Sequence, residues 1–135
     1  MNDKKLWKVF SEFIRLRDSN ENGFCKCFTC SAIRYFRNMD CGHGVKRQHM
    51  ATKFHEKNNH AQCKICNGPA GGGRQKEYRE EMNKRYGPGT WEEIDLLSRT
   101  VCKLGAFEIS TMMFYFKEEI KKLKATKTLK EADCL

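Results

Sequence analysis

Two Cys-x-x-Cys pairs, Cys27–Cys30 and Cys63–Cys66, bracket the 32 residues from 31 to 62 of a 135-residue chain. Each pair offers two thiolates from one tight turn, and zinc takes four such soft ligands in a tetrahedron. The spacing therefore predicts one structural Zn²⁺ held by Cys27, Cys30, Cys63 and Cys66. Cys25 stands as an alternative to Cys27, although the two-residue gap favours Cys27. Cys41, Cys102 and Cys134 are left as plain thiols. Charged residues make up 32% of the chain and the mean hydropathy is -0.75, so apolar material for a core is thin. A bound metal adds folding free energy that such a core does not supply alone.

Eight cysteines in a secreted chain would suggest disulfides, but Met1 to Lys5 is charged and runs into an amphipathic pattern rather than a signal peptide. The longest charge-free stretch is the nine residues from Ile65 to Gly73, far short of the roughly 20 apolar residues of a membrane span. The expectation is a soluble chain in a reducing cytoplasm, neither secreted nor membrane-bound.

Lysine and arginine number 26 against 17 acidic residues, a formal charge of +9. Residues 1–53 carry 11 basic and 5 acidic side chains, residues 54–90 carry 7 and 4, and residues 91–135 carry 8 of each. The excess thus sits in the part that holds the cysteine pairs, which predicts a surface for a polyanion such as nucleic acid.

The periodicity predicts a first helix with Leu6, Trp7, Phe10, Phe13 and Ile14 on one face, capped by Asn2 or Asp3. A zinc knuckle and short strand follow over 24–36, with Ile33, Tyr35 and Phe36 available for packing. Gly42 and Gly44 permit a sharp turn over 39–45 or a close backbone approach to a ligand. The second knuckle opens into a glycine-rich loop, whose Gly71–Gly73 run offers backbone N–H groups to a phosphate. Helices are predicted over about 74–86, closed by Gly87, from a Thr90-x-x-Glu93 capping box through Val101, and over 110–125, with a frayed tail from Thr126.

All four histidines lie between the cysteine pairs. Asp40-Cys41-Gly42-His43 precedes Lys46, Arg47, Lys53, Phe54, Asn58, Asn59 and His60. A neutral imidazole can take a proton from water, and a carboxylate with an amide oxygen can hold a hard cation. These are the parts for metal-assisted hydrolysis of a phosphodiester.

The arrangement resembles the treble-clef, zinc-supported form of the HNH (ββα-metal) endonucleases. It is closer still to the phage-lambda-type NinG/Rap recombination endonucleases. The residues that carry the likeness are Cys27-Phe28-Thr29-Cys30, Asp40-x-Gly42-His43, Arg47, Phe54-x-x-x-Asn58, and the string from His60 to Asn67. Tyr78, Tyr86-Gly87 and the helix around Ser11 to Asp18 add to it, so that the resemblance covers about residues 6–90. It implies an α+β fold, with an N-terminal helix and zinc-bound HNH-like core over 1–90 and a helical C-terminal annex over 91–135.

The same resemblance implies site roles. His43 takes the place of the general base that activates water, and Asn58 that of the residue that orients it and braces the loop. Asp40 and Asn67 take the places of ligands to a catalytic Mg²⁺ or Mn²⁺, with His60 a rival ligand or a second-shell partner of the zinc thiolates. Arg37, Lys46, Arg47 and Lys53 are expected on the nucleic-acid face, with His49 and His55 at the surface. The implied activity is hydrolysis of branched DNA of the Holliday-junction or D-loop type, leaving 5′-phosphate and 3′-hydroxyl ends. A homodimer and a recombination-protein partner are further expectations. Two alternatives compete: a non-catalytic zinc-finger adaptor that binds nucleic acid, and an HNH nickase with less preference for branched substrates.

Overall fold

The computed structural model describes residues 3–129. Asn2 as a helix cap and the Cys134 thiol lie outside the described residues.

Helix α1 (Asp3–Arg17) buries Leu6, Phe10, Phe13, Ile14 and Leu16 along one stripe, as its periodicity dictates. That stripe is covered by α6 (Ala106–Ala125), which contributes Ile109, Phe116 and Ile120. The Phe116 ring lies 5.0 Å from Phe10 and 5.1 Å from Phe13, and Lys124 pairs with Glu12 at 3.0 Å. The polypeptide immediately beyond α6 is also held: Thr128 N–H donates to Glu21 O at 2.7 Å and Lys127 Nζ to Ser19 O at 2.9 Å. The expected fraying from Thr126 is thus corrected as far as residue 129.

Two small antiparallel pairs of strands follow. In the first, β1 (Phe24–Lys26) pairs with β2 (Ile33–Tyr35), placing the Cys27–Cys30 knuckle at the turn. Tyr35 and Phe36 enter the core, whereas Ile33, at the end of the ladder, is exposed. In the second, β3 (Asp40–His43) pairs with β4 (Asn59–Gln62), with Asp40 opposite Gln62 and His43 opposite Asn59. The turn expected at 39–45 is therefore a strand. Gly42 is needed for close approach rather than turning, since a Cβ there would collide with the Gln62 side chain.

A single helical turn, α2 (Met50–Lys53), lies between the strands, and another, α3 (Lys64–Asn67), opens at the second knuckle. Helix α4 (Gln75–Tyr86) ends at Gly87, whose φ of 112° is open to glycine. It packs Tyr78 and Met82 with Phe28, Val45 and Ile94 in a second core. Helix α5 (Thr90–Leu97) departs from expectation at both ends. Gly89, not Thr90, is its cap, and the Thr90 hydroxyl donates back to Gly87 O at 2.7 Å. The helix stops before Val101, which is 93% exposed. Helix α6 begins about one turn before the expected Ser110, with the Gly105 N–H donating to the Glu108 carboxylate at 3.0 Å. Among the described residues, no helix is long and apolar enough to cross a membrane.

Candidate functional site

The first hairpin and α3 bring the two knuckles together. The Sγ atoms of Cys27, Cys30, Cys63 and Cys66 all lie within 4.8 Å of one another, with Cys30 and Cys63 at 3.7 Å. A tetrahedral site with Zn–S bonds near 2.3 Å puts its sulfurs about 3.8 Å apart, so the donor set fits zinc in both chemistry and spacing. Backbone amides point at the sulfurs: Cys63 N–H to Cys27 Sγ, Cys66 N–H to Cys63 Sγ and Ala32 N–H to Cys30 Sγ, at 3.2–3.4 Å. Burial pushes the Cys27 thiol up, but donors from Cys63 and Thr29 outweigh it and bring the group down to about 7, toward the thiolate a metal needs. Cys25 is not part of this cluster; its buried thiol donates to Arg15 O at 3.2 Å.

Strand β3 carries Asp40 at one end and His43 at the other. Asp40 Oδ1 accepts from Lys64 Nζ at 2.8 Å and Oδ2 from Asn67 Nδ2 at 3.0 Å, so α3 brings Asn67 to Asp40 as the sequence predicts. Burial opposes the Asp40 charge, but these two hydrogen bonds outweigh it and hold the carboxyl below its ordinary range. His43 is half-buried, and its Nδ1 is enclosed with no hydrogen-bond partner. Burial, reinforced by the nearby Arg47 charge, pushes His43 down to about 4. The imidazole is therefore neutral at pH 7, with proton-accepting capacity unspent.

Asn58 is fully buried beneath the loop that follows His43. Its Oδ1 accepts from Val45 N–H at 2.8 Å, its Nδ2 donates to Val45 O at 2.9 Å, and its backbone carbonyl accepts from Gly44 N–H at 2.9 Å. The side chain thus clamps residues 44–45 and leaves His43 at a fixed exit from the strand. The next residue, Asn59, ties β4 to α2 through Lys53 O and His55 O.

His60 points elsewhere. Its ring is fully buried, stacked on Phe28 at 3.8 Å, with Nδ1 3.2 Å from Tyr78 Oη and Nε2 2.7 Å from Tyr86 Oη. Because Tyr78 Oη donates to Gly42 O at 2.8 Å, Nδ1–H is the donor to Tyr78 and Nε2 accepts from Tyr86. Both nitrogens are occupied by tyrosines, and the ring serves to fix the carbonyl at the middle of β3. The Gly71–Gly73 amides are likewise spent inside the loop, on Gly68 O and Cys66 O; the expectation that they face a phosphate is corrected.

Beside Asp40, a cleft of about 370 Å³ is lined by Trp7, Arg15, Arg37, Asp40, Arg47, Lys64 and Asn67, among others. Arg47 lies over the Trp7 ring at 4.8 Å. Lys46 is exposed outside it, His49 and His55 are half-buried, and Lys53 is paired with Asp3 at 2.7 Å across Trp7. Sequence reasoning missed Trp7, Arg15 and Lys64 as lining residues. Arg15 carried no signal of this, since the periodicity places it off the apolar face of α1 like any solvated charge.

Fold and site together define a small α+β protein built around four cysteines able to hold a metal, with a neutral histidine on β3, a carboxylate–amide pair between β3 and α3, and a basic cleft beside them. The sequence matches the family described as Bacteriophage Lambda NinG protein over residues 2–127, and the chain belongs to that family. None of the curated proteins and none of the solved structures matches it.

Proposed function

We propose that this chain is a metal-dependent DNA endonuclease of the treble-clef HNH (ββα-metal) class, hydrolysing phosphodiester bonds in branched recombination intermediates. The observation that carries the reading is His43, a half-buried imidazole at the end of β3 that burial and the Arg47 charge keep neutral. Its Nδ1 is enclosed, which leaves Nε2 as the nitrogen that would take a proton from water.

Asp40 and Asn67 would hold the catalytic Mg²⁺ or Mn²⁺. Their oxygens are hard donors suited to those ions. The carboxylate already holds a cation in Lys64, whose side chain is 64% exposed and has room to withdraw. When bound, the ion neutralises charge on the scissile phosphate and the leaving 3′-oxygen. In-line displacement asks for the base and the leaving-group stabiliser on opposite sides of phosphorus. Asp40 and His43 stand at the two ends of β3, about 10 Å apart at Cα. Asn58 keeps the loop after His43 from moving, and Arg47 favours the unprotonated imidazole.

The preference for branched DNA is supported by the NinG family membership alone. A homodimer would present one centre to each of two strands at a junction. The competing reading is a zinc-finger adaptor, for which the cysteine cluster and basic cleft suffice, but which gives no use to His43. Labelled four-way junction, D-loop and linear duplex, incubated with Mg²⁺ or Mn²⁺, separate the readings when wild type is set beside His43→Ala. The expected result is selective cutting of the branched DNAs, lost in His43→Ala while binding persists. Equal cutting of all three discards the branch preference; binding without cutting by either protein makes the chain an adaptor.

A further inference from the structure

Four cations line the cleft beside β3, yet only Asp40 among its lining residues is acidic, and that carboxylate is paired with Lys64. Arg15, Arg37 and Arg47 have no ion pair among the described residues. Arg15 is anchored by its own hydrogen bonds to Ser11 and to Phe36 O at 3.1–3.2 Å. Arg37 stacks on the Phe36 ring at 4.9 Å, and its Nε is enclosed without a partner. Burial lowers Arg15 from its ordinary range, and Arg37 adds repulsion to it. Glu12 and Asp40 offset part of this on Arg15, but neither forms an ion pair with it, Arg37 or Arg47, and an anion that did so would relieve the repulsion.

The geometry points to a dedicated phosphate subsite formed by Arg15, Arg37 and Arg47 over Trp7, taking an internal backbone phosphate of DNA next to the one that is cut. This rests on the nuclease reading and adds a register to it: one phosphate at Asp40 and Asn67, its neighbour held by guanidiniums. Planar guanidiniums suit the work, because they grip phosphate oxygens with two parallel N–H bonds. Trp7 reports on the subsite, since any anion that draws Arg47 away changes what covers the indole.

The test needs no cleavage and no divalent ion. In a Trp91→Phe background Trp7 is the single tryptophan, and an eight-residue oligothymidylate, with and without a 5′-phosphate, is titrated while Trp7 fluorescence is read. Both oligonucleotides should give the same saturable change. Arg37→Gln should weaken binding about tenfold and reduce the salt slope by about 0.7, the loss of one phosphate contact on a single strand; Lys121→Gln on α6 should do neither. The arginine Nε–H resonances of the wild-type protein give the same titration without relying on Trp91→Phe. The subsite is wrong if Arg37→Gln and Arg47→Gln both bind as tightly as their background. A signal that requires the 5′-phosphate overturns the internal-phosphate assignment. Cleavage of a four-way junction, assayed separately, tells failure of the subsite from failure of the nuclease reading.

Discussion

Lys64 and Asn67 each reach Asp40 from the same short helical turn, and they do so differently. The amide can rotate to offer oxygen to a cation, whereas the ammonium competes with one. Lys64→Met should therefore tighten Mn²⁺ binding about two- to fivefold, the scale of an exposed ion pair, and Asp40→Asn should abolish it, both read by paramagnetic resonance of free Mn²⁺. His43 gives a second expectation. Its acidity is about 4 in the folded chain against an ordinary 6.5, so between those values the unfolded chain binds the extra proton. The stability it contributes is whole above about pH 6.5 and is lost as pH falls toward 4. Melting temperatures at pH 7 and pH 5 should show the fall, and His43→Gln should show a smaller one. At this scale the sequence was legible in the four cysteines, whose spacing foretold the cluster they form; the contact between Asp40 and Asn67 joins two residues that the family likeness had paired. The sequence marked Tyr78 and Tyr86 only as part of the family likeness and gave them no role, because nothing in the spacing of two tyrosines shows that both their hydroxyls meet one buried imidazole.

Between elements, the governing contacts are long in sequence. Phe116 of α6 fills the groove lined by Phe10 and Phe13 of α1. Phe116→Ala should cost about 3–5 kcal/mol, the usual range for a buried aromatic, measured by urea unfolding. Tyr78→Phe removes the donor to Gly42 O and the acceptor for His60, and leaving buried polar groups unpaired should cost about 1–3 kcal/mol. Helices with a sustained 3.6-residue stripe, such as α1, were readable for that reason. Strand β3 was not. It is four residues long, contains a glycine, and exists because Gln62 crosses it and β4 pairs with it, which are partners no local pattern displays. The ends of α5 were misread on the same ground: Thr90 looked like a cap, but its hydroxyl finds the Gly87 carbonyl first.

For the molecule as a whole, a metal held by the four cysteines would add to the contacts that already join the two hairpins, Phe28 N–H to Ala61 O and Gln62 Nε2 to Thr29 Oγ1. The four cysteines come from the turn of one hairpin and the end of the other, and the segment between the knuckles holds Asp40, His43 and Asn58. Removing zinc with a chelator should cost the native near-ultraviolet dichroism and the ordered Asp40–His43 strand together, and Cys63→Ser should reproduce the loss. Of the four sulfurs, Cys27, Cys63 and Cys66 are buried and Cys30 alone is exposed. An oxidant has one door into the centre. Peroxide arriving there would find Cys63 only 3.7 Å behind Cys30, and taking two electrons from that pair makes a disulfide that no longer ligates. Preparations kept without reductant should thus age by shedding zinc, with the thiol count falling by two for each ion released.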